Sequence, residues 1–454
     1  MSANIIREIR RIRENPRFGH YPEYKDSGVE WIGEIPKHWK KSRFKYESLV
    51  PVQYGLNINS DFYVEQGIRF IRTTDITDDG ELIDKGVYLE TKSVEKIYLT
   101  QPNDFLISRS GTLGRAYLHQ SDENYTYGGY LVRFNFGCPI KSRFIFYFTK
   151  SRCFEHWITL NTVQSTIGNV NGQKYSNLEI FLPAFTEQTQ IANFLDRKTE
   201  QIDELIRIKE RRIELLQEQR IARINQAVTK GLAPNVEMKP SGVEWIGKIP
   251  MNWDAVPLTK YLESIIDYRG RTPEKTEDGR FLVTAKNIRD GQINYEISRE
   301  FTSEDEYQRI MTRGIPQIGD VLFTTEAPLG EVANVDDVSI ALAQRIIKFR
   351  PKQDFLNPYF LKYWVLSYSF QFDLQRYATG STARGIKASK LCLLKLNLPP
   401  LKEQQKIVGY LDQKTQETNQ LIATEQRKIE LLKEYRQSLI SEAVTGKIDV
   451  RNEV

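Results

Sequence analysis

A stretch of thirteen residues near the start of the chain occurs again in its middle, and this repeat narrows the possible folds more than any other feature. Ser27-Gly-Val-Glu-Trp-Ile-Gly-Glu-Ile-Pro-Lys-His-Trp39 returns as Ser241-Gly-Val-Glu-Trp-Ile-Gly-Lys-Ile-Pro-Met-Asn-Trp253, with ten of thirteen positions identical and an offset of 214. A second echo links Leu182-Pro183, Glu187-Gln188, Leu195-Asp196, Ile213-Glu-Leu-Leu216 and Ala227-Val-Thr229 to Leu398-Pro399, Glu403-Gln404, Leu411-Asp412, Ile429-Glu-Leu-Leu432 and Ala443-Val-Thr445, now at an offset of 216. Between the echoes the halves diverge. Asp104-Phe-Leu-Ile against Asp320-Val-Leu-Phe, Leu113-Gly114 against Leu329-Gly330 and Ser165-Thr166 against Ser381-Thr382 are nearly all they share. A duplicated unit of this kind keeps alike the parts that do one shared job and lets the rest face two different targets.

The second echo has helical periodicity. Apolar residues at Leu195, Ile202, Ile206, Ile213, Leu216, Ile224 and Val228 fall seven apart or split into threes and fours. Leu411, Thr418, Ile422, Ile429, Leu432, Ile440 and Val444 take the corresponding places in the second copy, with charged and amide residues on the other faces. Neither stretch holds an internal proline, and Gly231 and Gly446 stand where such helices should stop. Each helix is expected to run for about 40 residues, roughly 60 Å at the usual rise. Packing the two stripes on each other as an antiparallel intramolecular coiled coil is the simplest way to bury them. Packing each helix on its own domain is the alternative. A short basic helix at 4–13, with Ile5, Ile9 and Ile12 on one face, could join the bundle, dock a partner or touch phosphate.

Composition rules out several classes. A chain of 454 residues with 40% hydrophobic and 27% charged residues is long enough for two to four ordered domains. No apolar run approaches the roughly 20 residues needed to cross a bilayer, and the start resembles no signal peptide, so a cytoplasmic protein without membrane contact is expected. Cys138, Cys153 and Cys392 lack metal or disulfide spacing and are expected to be small buried hydrophobes. A net charge of +5 permits nucleic-acid binding without demonstrating it.

The divergent segments mix strand-like runs with aromatic helix-like stretches. Phe70–Thr74, Asp104–Arg109 and Tyr130–Phe134 precede a helical stretch from Ser142 to Trp157. Phe281–Thr284, Asp320–Thr325 and Ala343–Phe349 precede another from Pro358 to Tyr377. Their loops are rich in small, hydrogen-bonding and basic residues. Phosphate accepts from Ser, Thr, Lys, Arg and backbone N–H, while base discrimination needs bidentate donors such as Arg, Asn or Gln. The candidates for DNA contact are Arg72, Thr73, Thr74, Ser108, Arg109, Ser110, Arg115, Gln164, Ser165, Thr166 and Lys174 in the first half. Lys286, Thr324, Thr325, Ser381, Thr382, Arg384 and Lys387 are those in the second. Loops of this composition are also ordinary turns.

A search for chemistry finds little. Gly242-Val-Glu-Trp-Ile-Gly-Lys-Ile249 nearly fits a P-loop, but Ile249 cannot ligate magnesium and Glu34 replaces the lysine in the first copy. Asn357-Pro-Tyr-Phe360 lacks the second proline of an amino-methyltransferase motif and suits a helix cap better. His20, His38, His119 and His156 have no metal-ligand spacing, and Asp78-Asp79-Gly80 suits a turn. No catalytic residue and no metal site are expected.

Two divergent domains alternating with two similar helices, introduced by Leu182-Pro-Ala-Phe-Thr-Glu-Gln188 and Leu398-Pro-Pro-Leu-Lys-Glu-Gln404, resemble the specificity subunits of type I restriction-modification systems. The Gly-Val-Glu-Trp-Ile-Gly opening looks like the start of that family's target-recognition domains. The resemblance implies an α+β chain: two similar mixed α/β recognition domains separated by two long helices in an antiparallel coiled coil, with pseudo-two-fold order. It divides the chain into a basic helix and linker at 1–26, a recognition domain at 27–185, a spacer helix at 186–231 and a linker at 232–249. A second recognition domain at 250–400, a second helix at 401–447 and a tail at 448–454 complete it. Packing between the helices is assigned to Leu195, Ile202, Ile206, Ile213, Leu216, Leu411, Ile422, Ile429 and Leu432.

The implied function is recognition of a bipartite, asymmetric double-stranded DNA target, one half-site per domain. The helices would act as spacer and dock methyltransferase subunits, two of them, with restriction subunits joining. No cofactor is implied for this chain, since S-adenosylmethionine, ATP and magnesium would sit on partner subunits. The competing readings are a coiled-coil scaffold for proteins and a free-standing methyltransferase or nuclease with duplicated domains.

Overall fold

The computed structural model describes residues 18–162, 168–268, 272–380 and 384–453. The basic helix expected at 4–13 lies outside them. The chain divides into two units, 1–209 with 427–454 and 210–426.

In the first unit a four-stranded antiparallel sheet has the order Gln53–Tyr54, Leu131–Asn135, Asp104–Ser108, Ala116–Leu118. In the second the order is Leu262–Asp267, Ile346–Pro351, Val321–Thr325, Leu329–Asn334, the same arrangement. Each unit adds a three-stranded mixed sheet in which Ile68–Ile71 or Arg280–Val283 lies between an antiparallel and a parallel neighbour. Each domain is closed by its own ends, Lys40–Arg43 pairing with Glu179–Leu182 and Asp254–Pro257 with Lys395–Leu398. The strand order of these sheets is thus duplicated although little sequence is shared, and the second unit adds a short pair, Ile288–Arg289 with Gln292–Ile293.

The central strands Asp104–Ser108 and Val321–Thr325 are buried at every position. Alternate residues of the latter feed two separate cores: Val321 and Phe323 pack with Trp253, Phe349, Phe360 and Trp364, while Leu322 packs with Leu282, Val283 and Leu342. A sheet covered on both faces needs continuous apolar strands.

Both aromatic stretches expected as single helices are broken in two. Pro139–Phe148 and Arg152–Asn161 meet at Ser151, whose hydroxyl accepts from Phe154 N at 3.3 Å. Pro358–Leu366 and Tyr368–Tyr377 meet at Ser367, which accepts from Phe370 N at 3.3 Å. A serine cap restarts the helix in a new direction each time. Asn357 does cap its helix, accepting from Tyr359 N at 2.9 Å.

The thirteen-residue repeat is a tight turn followed by an anchor. Gly28 and Gly33 take left-handed φ of 71° and 69°, and Gly242 and Gly247 take 76° and 71°, a conformation that other residues adopt only at a cost. The same turn accounts for the P-loop-like string. Trp39 and Trp253 at its end are fully buried. Trp39 Nε1 donates to Glu187 Oε1 at 3.0 Å, and Asn252 Nδ2 to Glu403 Oε2 at 3.3 Å. Gln188 and Gln404 donate back to Pro183 O and Pro399 O at 2.9 and 2.8 Å. The two echoes therefore meet, which is why the chain repeats both.

The long helices are Phe185–Lys230 and Leu401–Val444, each followed by a left-handed glycine, Gly231 at 77° and one residue later Gly446 at 70°. Each unit holds part of both. In the second unit Arg212 pairs with Glu425 at 3.3 Å and Arg220 Nη1 donates to Asn419 at 2.9 Å, so the stretches run antiparallel. Leu195, Ile202, Ile206, Leu411, Ile422 and Ile429 are buried. Ile213, Leu216 and Leu432 are only half-buried, because two paired helices cover one side of each other and leave part of each side chain open. Toward the domain, Ile224, Val228, Ile407 and Leu411 join the core of Trp253 and Trp364, so helix-to-helix and helix-to-domain packing coexist. Cys138 and Cys153 are half-buried and Cys392 is exposed, so burial does not describe the cysteines.

Candidate nucleic-acid interface

Four backbone segments converge at one edge of each domain, and their hydrogen bonds repeat. In the first unit Gly128 N donates to Ile71 O at 2.8 Å, Arg109 N to Tyr130 O at 2.8 Å and Val170 N to Arg109 O at 3.0 Å. In the second Ala343 N donates to Val283 O at 2.9 Å, Thr325 N to Arg345 O at 2.8 Å and Ile386 N to Thr325 O at 3.0 Å. Candidates singled out in the sequence, at 108–115 with Lys174 and at 324–325 with 384–387, are carried on the segments thereby brought together. Ser110 bridges to Asn169, and Glu326 to Gly385.

The side chains carried on this shared frame differ. The first unit presents exposed Thr74, half-buried Arg72 and Thr73, and Arg109 with its guanidinium 4.9 Å from the Tyr54 ring centre. Tyr130, 60% exposed, stands beside them. The second unit presents Lys286, Arg384 and Lys387, all exposed. Arg345 occupies the backbone position of Tyr130 in a left-handed conformation, φ 75°, with Nε 3.0 Å from Glu326 Oε1. A cavity of about 200 Å³ is lined by Thr272, Thr284, Lys286, Gln344 and Arg345 among others.

Several sequence candidates turn out to be held inside the loops. Ser108, Thr324 and Thr325 are buried to 1% exposure or less, because the strands that carry them are covered on both faces. The Ser108 hydroxyl accepts from Arg115 N at 2.9 Å and donates to Thr112 O, Thr324 accepts from Glu331 N at 2.9 Å and Thr325 donates to Arg345 O at 3.2 Å. These groups shape the edge from within and have no surface to offer DNA. Ser110 is also buried. Arg115 donates to Asp78 Oδ1 at 2.7 Å and Ile76 O at 3.1 Å, and Lys174 to Asn161 O at 2.6 Å. Arg72 is clasped by buried Asp75 at 2.7 Å, and these hydrogen bonds hold its guanidinium above the usual arginine range. Gln164, Ser165, Thr166, Ser381 and Thr382 lie outside the described residues.

Sequence reasoning missed Tyr54, Tyr130, Gln344 and Arg345. Gly128-Gly129 before Tyr130 is a loop signal that was available, but Gln344-Arg345 sits in a run that reads as strand. Among the described residues no group of three or more His, Cys, Asp or Glu could hold a metal ion, and no helix is long and apolar enough to cross a membrane.

The model described as type I restriction modification DNA specificity domain matches twice, at residues 36–217 and 259–431. The chain belongs to the type I restriction modification DNA specificity family. Its role is DNA target recognition, and it is the specificity and not the catalytic component. The MjaVIII type I restriction enzyme specificity subunit of Methanocaldococcus jannaschii is 26% identical over 316 residues, covering 68% of this chain and 71% of that one. The putative MjaX specificity subunit of the same organism is 25% identical over 445 residues, covering 92% and 96%. A solved structure from work on complex assembly and conformational transition of the type I R-M system matches at a TM-score of 0.67 and 17% identity, covering 90% of this chain and 98% of that one. That likeness bears on the fold of this specificity subunit.

Proposed function

We propose that this specificity subunit reads a bipartite, asymmetric double-stranded DNA target with one half-site per domain. Its paired helices dock two methyltransferase subunits, and restriction subunits join the assembly in the cytoplasm. S-adenosylmethionine, ATP and magnesium belong to those partners. The observation that carries the reading is the one backbone frame with two side-chain sets, Arg109, Tyr130 and Thr74 against Gln344, Arg345 and Lys286. A common scaffold with unlike donors is what two different half-sites require.

Arg345 and Gln344 are assigned to base edges, and Lys286, Arg384 and Lys387 to phosphates and flanking bases. Arg109, Thr74 and Tyr130, with Gln164, Ser165 and Thr166, are assigned to the other half-site, and Ser381 and Thr382 to that of the second domain. Arg345→Ala should cost about 1–3 kcal/mol at one base pair and relax preference there. Lys286→Ala should weaken binding across sequences and flatten the salt dependence. Selection of DNA from a randomised pool by the purified chain measures the first and binding titrations at several salt concentrations the second, and an Arg345 variant that alters both half-sites equally sinks the assignment.

The whole reading is tested by mapping methylated bases in a host lacking other methyltransferases, with this chain alone and with the methyltransferase encoded beside it. Methylation that needs both proteins and falls in a two-part motif with a fixed gap is the expected result. Methylation by the chain alone, or none with the partner, contradicts it.

A further inference from the structure

Each recognition domain sends one Asp-Gly turn from its candidate face toward the helix stretches of its own unit. In the first, Gly80 N donates to Thr77 O at 3.0 Å and Thr77 N to Glu81 O at 2.8 Å. In the second, Asp290-Gly291 joins Ile288–Arg289 to Gln292–Ile293. Both glycines are left-handed, φ 86° and 84°, and both are pressed against a helix. A Cβ would meet the Phe146 ring at 2.5 Å in one and Leu366 Cδ1 at 3.0 Å in the other.

An arginine from a long helix reaches each turn. Arg436 Nη1 lies 3.0 Å from Asp79 Oδ1, with Nε 3.1 Å from Asp203 Oδ1. Arg220 Nη2 lies 2.6 Å from Asp290 Oδ1, and its Nη1 donates to Asn419 Oδ1 at 2.9 Å. Arg220 and Arg436 are 216 positions apart, as are Asp203 and Asn419, which is the offset of the helix repeat. The neighbouring pair has meanwhile reversed its charges. Asp78 meets Arg115 at 2.6 Å, whereas Arg289 faces Glu331, the residue 216 positions beyond Arg115. The Asp–Arg contact is therefore the part of this cluster that both copies keep.

We infer that Arg436 and Arg220 are positioning residues, each clamping the Asp-Gly turn of one recognition domain to the helix stretches of its unit and so setting how that domain presents its reading edge. The consequence for DNA rests on the reading proposed above; the clamp does not. Exposed ion pairs contribute little. Here the arginine side chains are only 21% and 12% exposed, while the carboxylates are 62% and 69% exposed. Loss of the aspartate would leave a largely desolvated guanidinium short of an acceptor.

The test uses the full chain and reads backbone amide exchange in segments 77–81 and 288–292, together with half-site preference. Asp79→Asn, which keeps the side-chain shape, and Arg436→Gln, which removes the guanidinium, should speed exchange about tenfold in the first turn alone. Asp290→Asn and Arg220→Gln should do so in the second alone. The charge swap is made in the second unit, where Arg220→Asp with Asp290→Arg meets the amide of Asn419 in the place where the first unit has the Asp203 carboxylate; that amide can turn to donate, and Glu331 lies beside the new arginine. The swap should restore slow exchange. Half-site preference should loosen only for the domain whose turn is freed.

Unchanged exchange in the single variants, or a swap no better than either single change, overturns the clamp. Faster exchange with unaltered half-site preference overturns the positioning role. A wild-type chain that selects no two-part DNA counts against the proposed function, and the clamp is then decided by exchange and the swap alone.

Discussion

A chain in which residues 254–398 replace residues 40–182 should select DNA whose two halves are the same, both being the half-site of the second domain. The exchange is physically simple because each segment begins and ends on two antiparallel strands with four residue pairs, Lys40–Arg43 with Glu179–Leu182 and Asp254–Pro257 with Lys395–Leu398. The graft therefore enters and leaves at the same two neighbouring points. Its charge-reversed partners Arg289 and Glu331 travel together, and Asp290 arrives where Asp79 meets Arg436. Each mismatched base pair costs about 1–3 kcal/mol, so a half-site of a few pairs changes preference by on the order of a thousandfold. Selection from a DNA pool randomised in both halves decides the matter. A folded chimera that still selects the old first half would mean that reading residues lie outside 40–182.

The second large effect concerns stability. Asp104 is fully buried, its carboxylate 2.7 Å from Arg133 Nε, and it also accepts from Gln101 N at 2.7 Å and Asn135 Nδ2 at 2.8 Å. Its counterpart Asp320, 3% exposed, lies 3.0 Å from Lys348 Nζ and 2.7 Å from Arg350 Nη2. Removing one partner leaves a buried charge unpaired, so Asp104→Ala or Asp320→Ala should cost about 3–5 kcal/mol, far more than loss of a surface pair. Calorimetry of the full chain should show the part of the endotherm belonging to the altered unit move down by about 10 °C. A shift below a degree or two would show that the pair contributes no net stability.

The same site predicts an acid response. Burial pushes the Asp320 carboxyl up, but Arg350, the Gln317 amide and Lys348 outweigh it and hold the carboxyl below the usual aspartate range. A depressed carboxyl contributes stability that is full above the unfolded value of about 3.9 and is lost as pH falls through the folded value. The gap in stability between wild type and Asp320→Asn should therefore be constant from neutral pH to about 5 and shrink below about 4.

Much of this architecture was legible because it depends on local chemistry. The repeat announced two copies of one topology. Seven-residue spacing gave the helix stripes, and Gly231 and Gly446 marked their ends. Asn357 read correctly as a cap and Asp78-Asp79-Gly80 as a turn. Ser151 and Ser367 were equally local signals that were passed over, and they divide each aromatic stretch into two helices.

The candidate face was less legible, since exposure is set by what covers a residue from elsewhere in the chain. Ser108, Thr324 and Thr325 look like ideal surface donors, yet a second layer lies over both faces of their strands. Arg115 looks free until Asp78, 37 residues earlier, comes within 2.6 Å of it. By itself the sequence determined the duplication, the long helices and the family, all of which rest on periodic patterns and short-range turn chemistry. Only the tertiary structure decided which side chains stand at the reading edge, and that Glu187 meets the Trp39 indole from 148 residues away. Those choices arise where segments remote in sequence bury or pair one another, and no local pattern records that.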